Sequence, residues 1–458
     1  MPGVRPWPRP GSGSLNRCCM SPNLDDFFER ASRRAEMTDG PPALGRVCGV
    51  DGCLVRIRLP DPRMGEWVEL VSSDGARLLP AEVTGFDGDD VWCSPAGPLT
   101  GIGPGWSVRP GFASGVIVSD QLRGRILDGL GRPLDSGGPV RGERLPYDAT
   151  APSPLERPLA DQPFVTGVRA IDGLCTLARG QRVGLFAGSG VGKSHLMGQL
   201  ARQAEAAVTV VCLVGERGRE VVEFLQDNLP VADRANCVMV VATSDQPALV
   251  RALAPLCATT IAEWFRDRGH NVLLLVDSLT RMARALREIH LQMGQSPARR
   301  GYPPSVFAGL PRLLERAGTG TCGSITGVYT VLVEGDDLDE PVADEVRGLL
   351  DGHLVLSREL AELGHYPALD VPRSISRMSG RVTDRAQQEL ARRVRAWLAS
   401  RSSARDLLRI GAVTCGADPL LDEAVARSLR LDDFCRQGPE PTGYKETWRL
   451  LEELVRDP

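Results

Sequence analysis

The residues best suited to chemistry form a glycine-rich stretch, residues 187–194, which runs Ala-Gly-Ser-Gly-Val-Gly-Lys-Ser. It fits the phosphate-binding pattern G-x-x-x-x-G-K-[ST] except at its first position, where alanine replaces glycine. Backbone N–H groups of such a loop close around phosphates, while Lys193 reaches the β- and γ-phosphates and the Ser194 hydroxyl binds Mg²⁺. The pattern therefore predicts ATP and Mg²⁺ as ligands. The predicted nucleotide-binding residues of the loop are Gly188, Ser189, Gly190, Val191, Gly192, Lys193 and Ser194.

The elements needed to position this loop are predicted on both sides of it. Residues 183–186 form an apolar run that indicates a buried strand, and residues 194–206 are compatible with a helix. A strand, a glycine-rich turn and a helix, in that order, are the context in which the motif binds phosphate. The alternative, a glycine-rich turn that binds nothing, is disfavoured by these flanking elements.

Two carboxylates follow other predicted strands of the same region. Glu216 comes after the apolar run Val208–Val214, and Asp277 directly follows residues 272–276. Because the carboxyl ends of parallel strands face one crevice, Glu216 could polarise the attacking water and Asp277 could hold Mg²⁺. The other interpretations are a surface charge cluster at Glu216 and capping of the next helix by Asp277. Arg281, one helical turn further on, could reach the γ-phosphate.

The apolar pattern divides the chain into three regions after its first 40 residues. Residues 41–110 alternate short strand-like runs with Asp-Gly turns, which predicts a small β-barrel or sandwich. Residues 111–378 alternate continuous apolar runs with helical stretches such as 247–268, the pattern of an α/β domain with a doubly wound parallel sheet. Residues 379–458 are compatible only with helix, so we expect a helical C-terminal domain. The Asp-Gly pairs are Asp51-Gly52, Asp74-Gly75 and Asp87-Gly88.

The first 40 residues are predicted to be a disordered tail followed by an amphipathic helix. Residues 1–19 are rich in proline, glycine and arginine, contain no acid and lack the apolar core of a signal peptide, so Met20 is an alternative start. Residues 23–35 predict a helix whose apolar face needs a covering surface, either the chain's own barrel or a partner protein. That face consists of Leu24, Phe27, Phe28, Ala31 and Ala35.

The composition and net charge of the chain disfavour several classes of protein. The chain has 458 residues, 42% apolar and 24% charged, with a net charge of −4, which does not suit a polyanion-binding protein. We expect no apolar run long enough to span a membrane. The twelve cysteines form no C-x-x-C pair, which argues against a zinc site and favours a reducing compartment. The barrel region lacks a basic, aromatic face, which disfavours nucleic-acid binding.

Several segments together resemble the export ATPases of type III secretion, a family that serves bacterial flagella and injectisomes. That family is similar to the catalytic subunit of rotary ATP synthases, and the resemblance covers roughly residues 44–437. Ala187 is shared with the export ATPases rather than with the synthase catalytic subunits. The segments are the glycine-rich loop and residues 215–221, 274–281, 300–307, 333–337, 350–353 and 365–368.

The resemblance implies a hexamer whose subunits have a β-barrel, a RecA-like P-loop core with a parallel sheet, and a helical C-terminal domain. By position, Glu216 matches the catalytic glutamate and Tyr366 an aromatic residue that packs on adenine. Arg377 matches an arginine finger that acts in the neighbouring subunit's active site, although the sequence alone would make it an ordinary exposed arginine. The implied catalytic residues are Lys193, Glu216, Arg217, Arg281 and Arg377, and the implied metal-binding residues are Ser194 and Asp277.

The resemblance also implies a function and partners. The chain would hydrolyse ATP to release chaperones from export substrates, and to unfold these, at the inner-membrane export gate. It would be cytoplasmic, peripheral at the inner membrane and homohexameric. Its partners would be a stator-like regulator bound through the N-terminal helix, a central stalk protein, the export gate and chaperone–substrate complexes. Residues 298–301 and 340–345 look more like the injectisome branch than the flagellar one.

Three alternative functions stay open at this point. The first is the catalytic subunit of a rotary proton-translocating ATP synthase, although the acidic lever segment of such subunits is absent from the C-terminal region. The second is a hexameric RNA translocase, which would need a basic N-terminal surface. The third is a non-catalytic nucleotide-binding subunit, which would lack the carboxylate of Glu216.

Overall fold

The computed structural model of the chain describes residues 45–333, 337, 339–412, 416 and 418–456. The N-terminal tail and the predicted partner-binding helix, residues 23–35, lie outside the described residues.

Six antiparallel strands close into an N-terminal barrel in the order β1-β2-β5-β4-β3-β6. Each predicted Asp-Gly pair joins two neighbouring strands, and its glycine has a positive φ of 55°, 70° or 57°. Glycine takes that conformation without the strain a Cβ would cause, so these turns fix the strand pairing. The predicted β-barrel is confirmed. The strands are β1 Gly45–Asp51, β2 Leu54–Arg58, β3 Trp67–Val71, β4 Leu78–Asp87, β5 Asp90–Pro95 and β6 Ser107–Pro110.

The central domain contains a mainly parallel sheet in the order β19-β18-β12-β17-β15-β13-β14-β8, with β16 paired to β17. The predicted apolar runs 183–186, 208–214 and 272–276 lie in three of its central strands. β19 and β16 pair antiparallel with their neighbours at the margin of this sheet. The remaining strands are β7 Val116–Val118, β8 Ile126–Asp128, β9 Glu143–Leu145, β10 Pro163–Phe164, β11 Leu177–Ala178, β12 Arg182–Ala187, β13 Val208–Val214, β14 Cys237–Ala242, β15 Asn271–Asp277, β16 Gly318–Thr319, β17 Ser324–Leu332, β18 Gly352–Val355 and β19 Ile375–Ser376.

Helices cover both faces of this sheet. Along β13, Val210 and Cys212 pack into one hydrophobic cluster, whereas Val211 and Leu213 pack into another on the opposite face. This burial on both sides confirms the predicted doubly wound α/β domain. The helices are α1 Arg169–Leu174, α2 Lys193–Gln203, α3 Gly218–Glu223, α4 Ala248–Arg266, α5 Leu279–Gln292, α6 Pro304–Leu314, α7 Pro341–Leu349, α8 Arg358–Glu362, α9 Ser379–Val382, α10 Arg385–Ser403, α11 Arg405–Arg409, α12 Pro419–Ala426, α13 Ser428–Cys435 and α14 Tyr444–Arg456.

One helix corrects the expectation that no apolar run is long enough to span a membrane. By length and composition α4 is long and apolar enough to do so, but 89% of its most apolar window is buried inside the protein. It also carries Glu263, which forms a buried ion pair with Arg316 at 2.6 Å. The hydrophobicity of α4 is therefore explained by its place in the core beside the sheet.

The C-terminal helices pack directly on the central domain. Helix α14 buries Trp448, Leu451 and Leu454 in the same cluster as Ile171 of α1. Arg395 of α10 donates a hydrogen bond of 2.7 Å to the carbonyl of Ser374. These contacts attach the helical region to the segment that leads to Arg377, and they give a packing role to residues 442–456, in which the sequence shows no motif.

Candidate active site

The glycine-rich loop connects β12 to α2, as the sequence predicts. Gly190 and Gly192 have φ values of 78° and 89°, which residues with a Cβ rarely adopt. The ring of Tyr366 lies so close to Gly192 that a Cβ there would meet ring carbon Cε1 at 3.0 Å. Because Lys193 is the first residue of α2, the unpaired N–H groups of the first helical turn adjoin the loop. The loop thus has the conformation of an anion-binding cradle.

A cavity of about 650 Å³ lies in front of this loop. Its size falls within the range of about 300–1,000 Å³ that is common for ligand sites. Its walls come from the loop, from the carboxyl ends of β13, β15 and β17, and from α3 and α5, as expected for a crevice at one edge of a parallel sheet. The charged and histidine side chains of the lining are Lys193, His195, Glu216, Glu220, Glu223, Asp227, Asp277, Arg281, Arg284 and Arg358.

Three of the predicted residues form a buried charge cluster at the base of the cavity. The Lys193 Nζ lies 2.5 Å from Asp277 Oδ1 and 3.4 Å from Glu216 Oε1. The exposed fractions of these side chains are 11% for Lys193, 4% for Asp277 and 12% for Glu216. Burial opposes the lysine's charge, but attraction to Asp277 and Glu216 prevails and raises the pKa of Lys193. The ammonium group is therefore charged, and it lies at the cavity that the glycine-rich loop borders.

Arg281 joins this cluster from α5. Its Nη2 lies 2.9 Å from Glu216 Oε2, and its Nη1 donates to the carbonyl of Gly215. The side chain of Ser278, which accepts a 3.3 Å bond from the Arg281 N–H, caps α5. Asp277 does not cap this helix, since its Oδ1 accepts bonds from Lys193 and Thr330. Glu216 is buried, so it is not part of a surface charge cluster.

Ser194 and Asp277 together fit a magnesium ion. A serine hydroxyl and a carboxylate are oxygen donors of the kind that hard cations such as Mg²⁺ prefer. Both residues line the cavity beside Lys193, and the protein bonds of Asp277 engage its Oδ1. When bound, Mg²⁺ would neutralise charge on the β- and γ-phosphate oxygens.

Glu220, which no motif in the sequence singles out, is hydrogen-bonded to Glu216. It lies in the first turn of α3, four residues after Glu216. Burial and this hydrogen bond raise the pKa of Glu216 to about 7. The same bond lowers the pKa of Glu220. A carboxylate with a pKa near neutrality suits a residue that accepts a proton during turnover.

We expect the fall of kcat/KM at acidic pH to follow the protonation of Glu216, whose pKa depends on Glu220. Glu216 must be ionised to accept a proton, so kcat/KM should fall as the pH drops below about 7. Glu220→Gln removes the neighbouring carboxylate that raises the pKa of Glu216, so the midpoint should move to lower pH. Comparing the profiles of variant and wild type, both with MgATP, cancels the titration of ATP itself. A midpoint that stays fixed or moves to higher pH would contradict the pairing.

Several predicted residues lie outside the cavity of their own chain. Val191 is buried under the loop. The side chain of Arg217 is 75% exposed and pairs with Glu220 at 3.7 Å. Arg377 is also exposed, and its backbone N–H donates to the carbonyl of Asp351 at 3.0 Å. Tyr366 borders Gly192 at the rim. The functions of these four residues, like those of the predicted residues inside the cavity, stay predictions.

The comparisons with known proteins agree with this geometry. Residues 167–376 match the ATP synthase alpha/beta family, nucleotide-binding domain, and residues 383–453 match the T3SS EscN ATPase C-terminal domain. The chain is 46% identical over 416 residues to the type 3 secretion system ATPase of Xanthomonas euvesicatoria. The aligned residues cover 90% of this chain and 94% of the relative. The chain belongs to the type III secretion ATPase family. Its predicted family resemblance and its identification as an ATPase are thereby confirmed.

Two other members of the type III secretion ATPase family are 43% to 46% identical to the chain. The flagellum-specific ATP synthase of Treponema pallidum is 46% identical over 418 residues, covering 90% of this chain and 93% of the relative. Among solved structures, the assembled ATPase EscN with its central stalk EscO, from enteropathogenic E. coli, is 43% identical. Its TM-score is 0.82, over 90% of this chain and 100% of that one. The predicted order of barrel, P-loop domain and helical C-terminal region is the fold of this family.

Proposed function

We propose that this type III secretion ATPase hydrolyses ATP to release chaperones from export substrates, and to unfold those substrates, at the inner-membrane export gate. The observation that carries the proposal is the buried cluster of Lys193, Glu216, Asp277 and Arg281 at the phosphate end of the cavity. Buried charges are stable only when they are compensated, and phosphate oxygens and Mg²⁺ can replace the partners that Lys193 and Asp277 provide for each other.

Each residue of the cluster has a separate task in this proposal. Lys193 exchanges its bond to Asp277 for one to the β- and γ-phosphates, which frees Asp277 to hold Mg²⁺ with Ser194. Glu216 orients the attacking water and accepts its proton. Arg281, fixed by Gly215, neutralises charge that develops on the γ-phosphate, as arginines in such sites do. The ring of Tyr366 packs on adenine at the rim.

The proposed assembly is a homohexamer around a central stalk protein, cytoplasmic and peripheral at the inner membrane. It is supported by the relative that was solved as an assembled ATPase with its central stalk. The exposed side chain of Arg377 agrees with a contact to the active site of the neighbouring subunit. Residues 23–35 would bind a stator-like regulator, and the export gate and chaperone–substrate complexes complete the set of proposed partners.

We infer that the protein works in an injectisome rather than in a flagellum, because residues 298–301 and 340–345 resemble the injectisome branch of the family. The rotary proton-translocating synthase remains the alternative function. The match of residues 383–453 to the EscN C-terminal domain favours export. Copurification with a proton-translocating membrane ring would favour the synthase instead.

The chain offers a matched pair of variants to test this function, because it contains two lysines, Lys193 and Lys445. Lys193→Ala removes the main point charge for the phosphates, so binding of a fluorescent ATP analogue and secretion of injectisome substrates should both be lost. Lys445 is exposed on α14, and Lys445→Ala should change neither. Each variant replaces the wild-type copy in the source bacterium, where swimming motility is measured in parallel. Loss of motility with secretion intact would contradict the injectisome assignment, and secretion unaffected by Lys193→Ala would contradict the function.

A further inference from the structure

A second cavity, of about 410 Å³, adjoins the active site beyond the end of β17. Both cavities are lined by Arg284 and Leu332, so these two side chains form a common wall. The remaining lining of the second cavity is Arg287, Arg300, Tyr302 and Glu340. We call it the basic cavity, because three of the six described residues that line it are arginines.

A series of arginines leads from the buried charge cluster at Glu216 to the basic cavity. Arg281, Arg284 and Arg287 follow one another at intervals of three residues along α5. Arg281 contacts Glu216 at 2.9 Å, Arg284 faces both cavities, and Arg287 faces the basic cavity. Their guanidinium groups thus provide positive charge along the whole path. The lining that α3 and the residues after it contribute to the active-site cavity carries Glu220, Glu223 and Asp227, which repel an anion.

The lining of the basic cavity is held in place by its own contacts. Arg287 lies over the ring of Tyr302, with its Cζ 4.8 Å from the ring centroid. Arg300 donates two bonds of 3.1 Å to Asp337 Oδ2. The carboxylate of Glu340 accepts the N–H groups of Val342 and Ala343 at 3.0 Å each, which caps α7. Among the described residues, three guanidinium groups therefore line the cavity, Arg300 is also paired with Asp337, and the lining carboxylate of Glu340 is engaged by a helix end.

We propose that the basic cavity is an exit site for the inorganic phosphate formed by ATP hydrolysis. The inference rests on the proposed hydrolysis. Cleavage transfers the γ-phosphoryl group to water and leaves ADP on the glycine-rich loop. The phosphate dianion passes Arg284 and is held by Arg287 and Arg300 before it reaches solvent. Positive potential along a path lowers the energy of an anion on it, so the arginines speed release rather than cleavage.

The test compares cleavage and release in one single-turnover reaction with MgATP. Acid quenching measures total phosphate, and a fluorescent phosphate-binding protein measures free phosphate. In Arg287→Gln and Arg300→Gln, cleavage should keep the wild-type rate while release slows by about tenfold. Arg300→Lys keeps the charge and should release phosphate at nearly the wild-type rate. Arg449→Gln, on the exposed side of α14, is the matched control and should change neither rate.

Other outcomes would overturn the exit site. Equal slowing of cleavage and release would place these arginines in the chemical step. A defect that disappears at high protein concentration would show that they bind a neighbouring subunit instead. Wild-type release in both glutamine variants, with normal cleavage, would overturn the exit site while leaving the proposed function intact. Absence of cleavage in the wild type would overturn both.

Discussion

Glu216→Gln is expected to bind ATP normally and to lose about 10²-fold or more in turnover. Glutamine has nearly the shape of glutamate, and its carbonyl oxygen can still accept the bond from Arg281 Nη2, now 2.9 Å from the carboxylate. Its amide cannot accept a proton from the attacking water. The loss should therefore appear in kcat and not in the affinity for ATP, because Lys193 and the other groups that hold the phosphates are unchanged.

Two measurements separate this effect from a failure to fold or bind. Titration with a fluorescent ATP analogue should give the wild-type dissociation constant, and steady-state hydrolysis should give the reduced kcat. Glu389→Gln is the matched control, since Glu389 lies on α10 with an exposed side chain paired to Arg392. It should hydrolyse ATP at the wild-type rate. Equal rates in Glu216→Gln and wild type would remove Glu216 from catalysis.

The fold could be predicted from the sequence wherever local pattern and burial agree. The run Val208–Val214 forms the strand with the predicted bounds, because a strand covered on both faces needs an unbroken apolar sequence. Strand β8, Ile126–Asp128, was not predicted, since three residues at a sheet edge leave no periodic signal. For helix α4, the sequence gives a clear signal that fits two different structures. Its composition suits a membrane span as well as a protein core, and tertiary packing decides between them.

The buried charge cluster was predictable for a related reason. Lys193 and Glu216 follow strands of one parallel sheet and Asp277 ends another, and such strands bring their carboxyl ends together. Contacts that depend on strand order were not predictable. Thr330 reaches Asp277 across 53 residues because β17 lies beside β15, and nothing in the sequence near Thr330 signals this neighbour. The Glu216–Glu220 pair was visible only as two acids four residues apart.

Arg377→Ala is expected to bind ATP but to hydrolyse it about 10³–10⁵-fold more slowly, the usual effect of removing an arginine finger. The structure fixes the backbone of its segment without placing the side chain in its own cavity. The hydroxyl of Ser376 donates to the carbonyl of Thr176 at 2.8 Å, and the N–H of Arg377 donates to Asp351. A held backbone and an exposed guanidinium group suit a contact with a neighbouring subunit.

Mixing two inactive variants tests whether that contact crosses the subunit interface. In a ring that contains Glu216→Gln and Arg377→Ala subunits, some interfaces join an intact Glu216 to an intact Arg377 of the neighbour. Activity should therefore reappear on mixing and should rise with protein concentration as rings form. Subunits that carry both substitutions, mixed with Arg377→Ala subunits, are the control, since such rings contain no intact Arg377 and should stay inactive. If well-mixed rings of the two single variants also stay inactive, Arg377 acts within its own subunit or another residue is the finger.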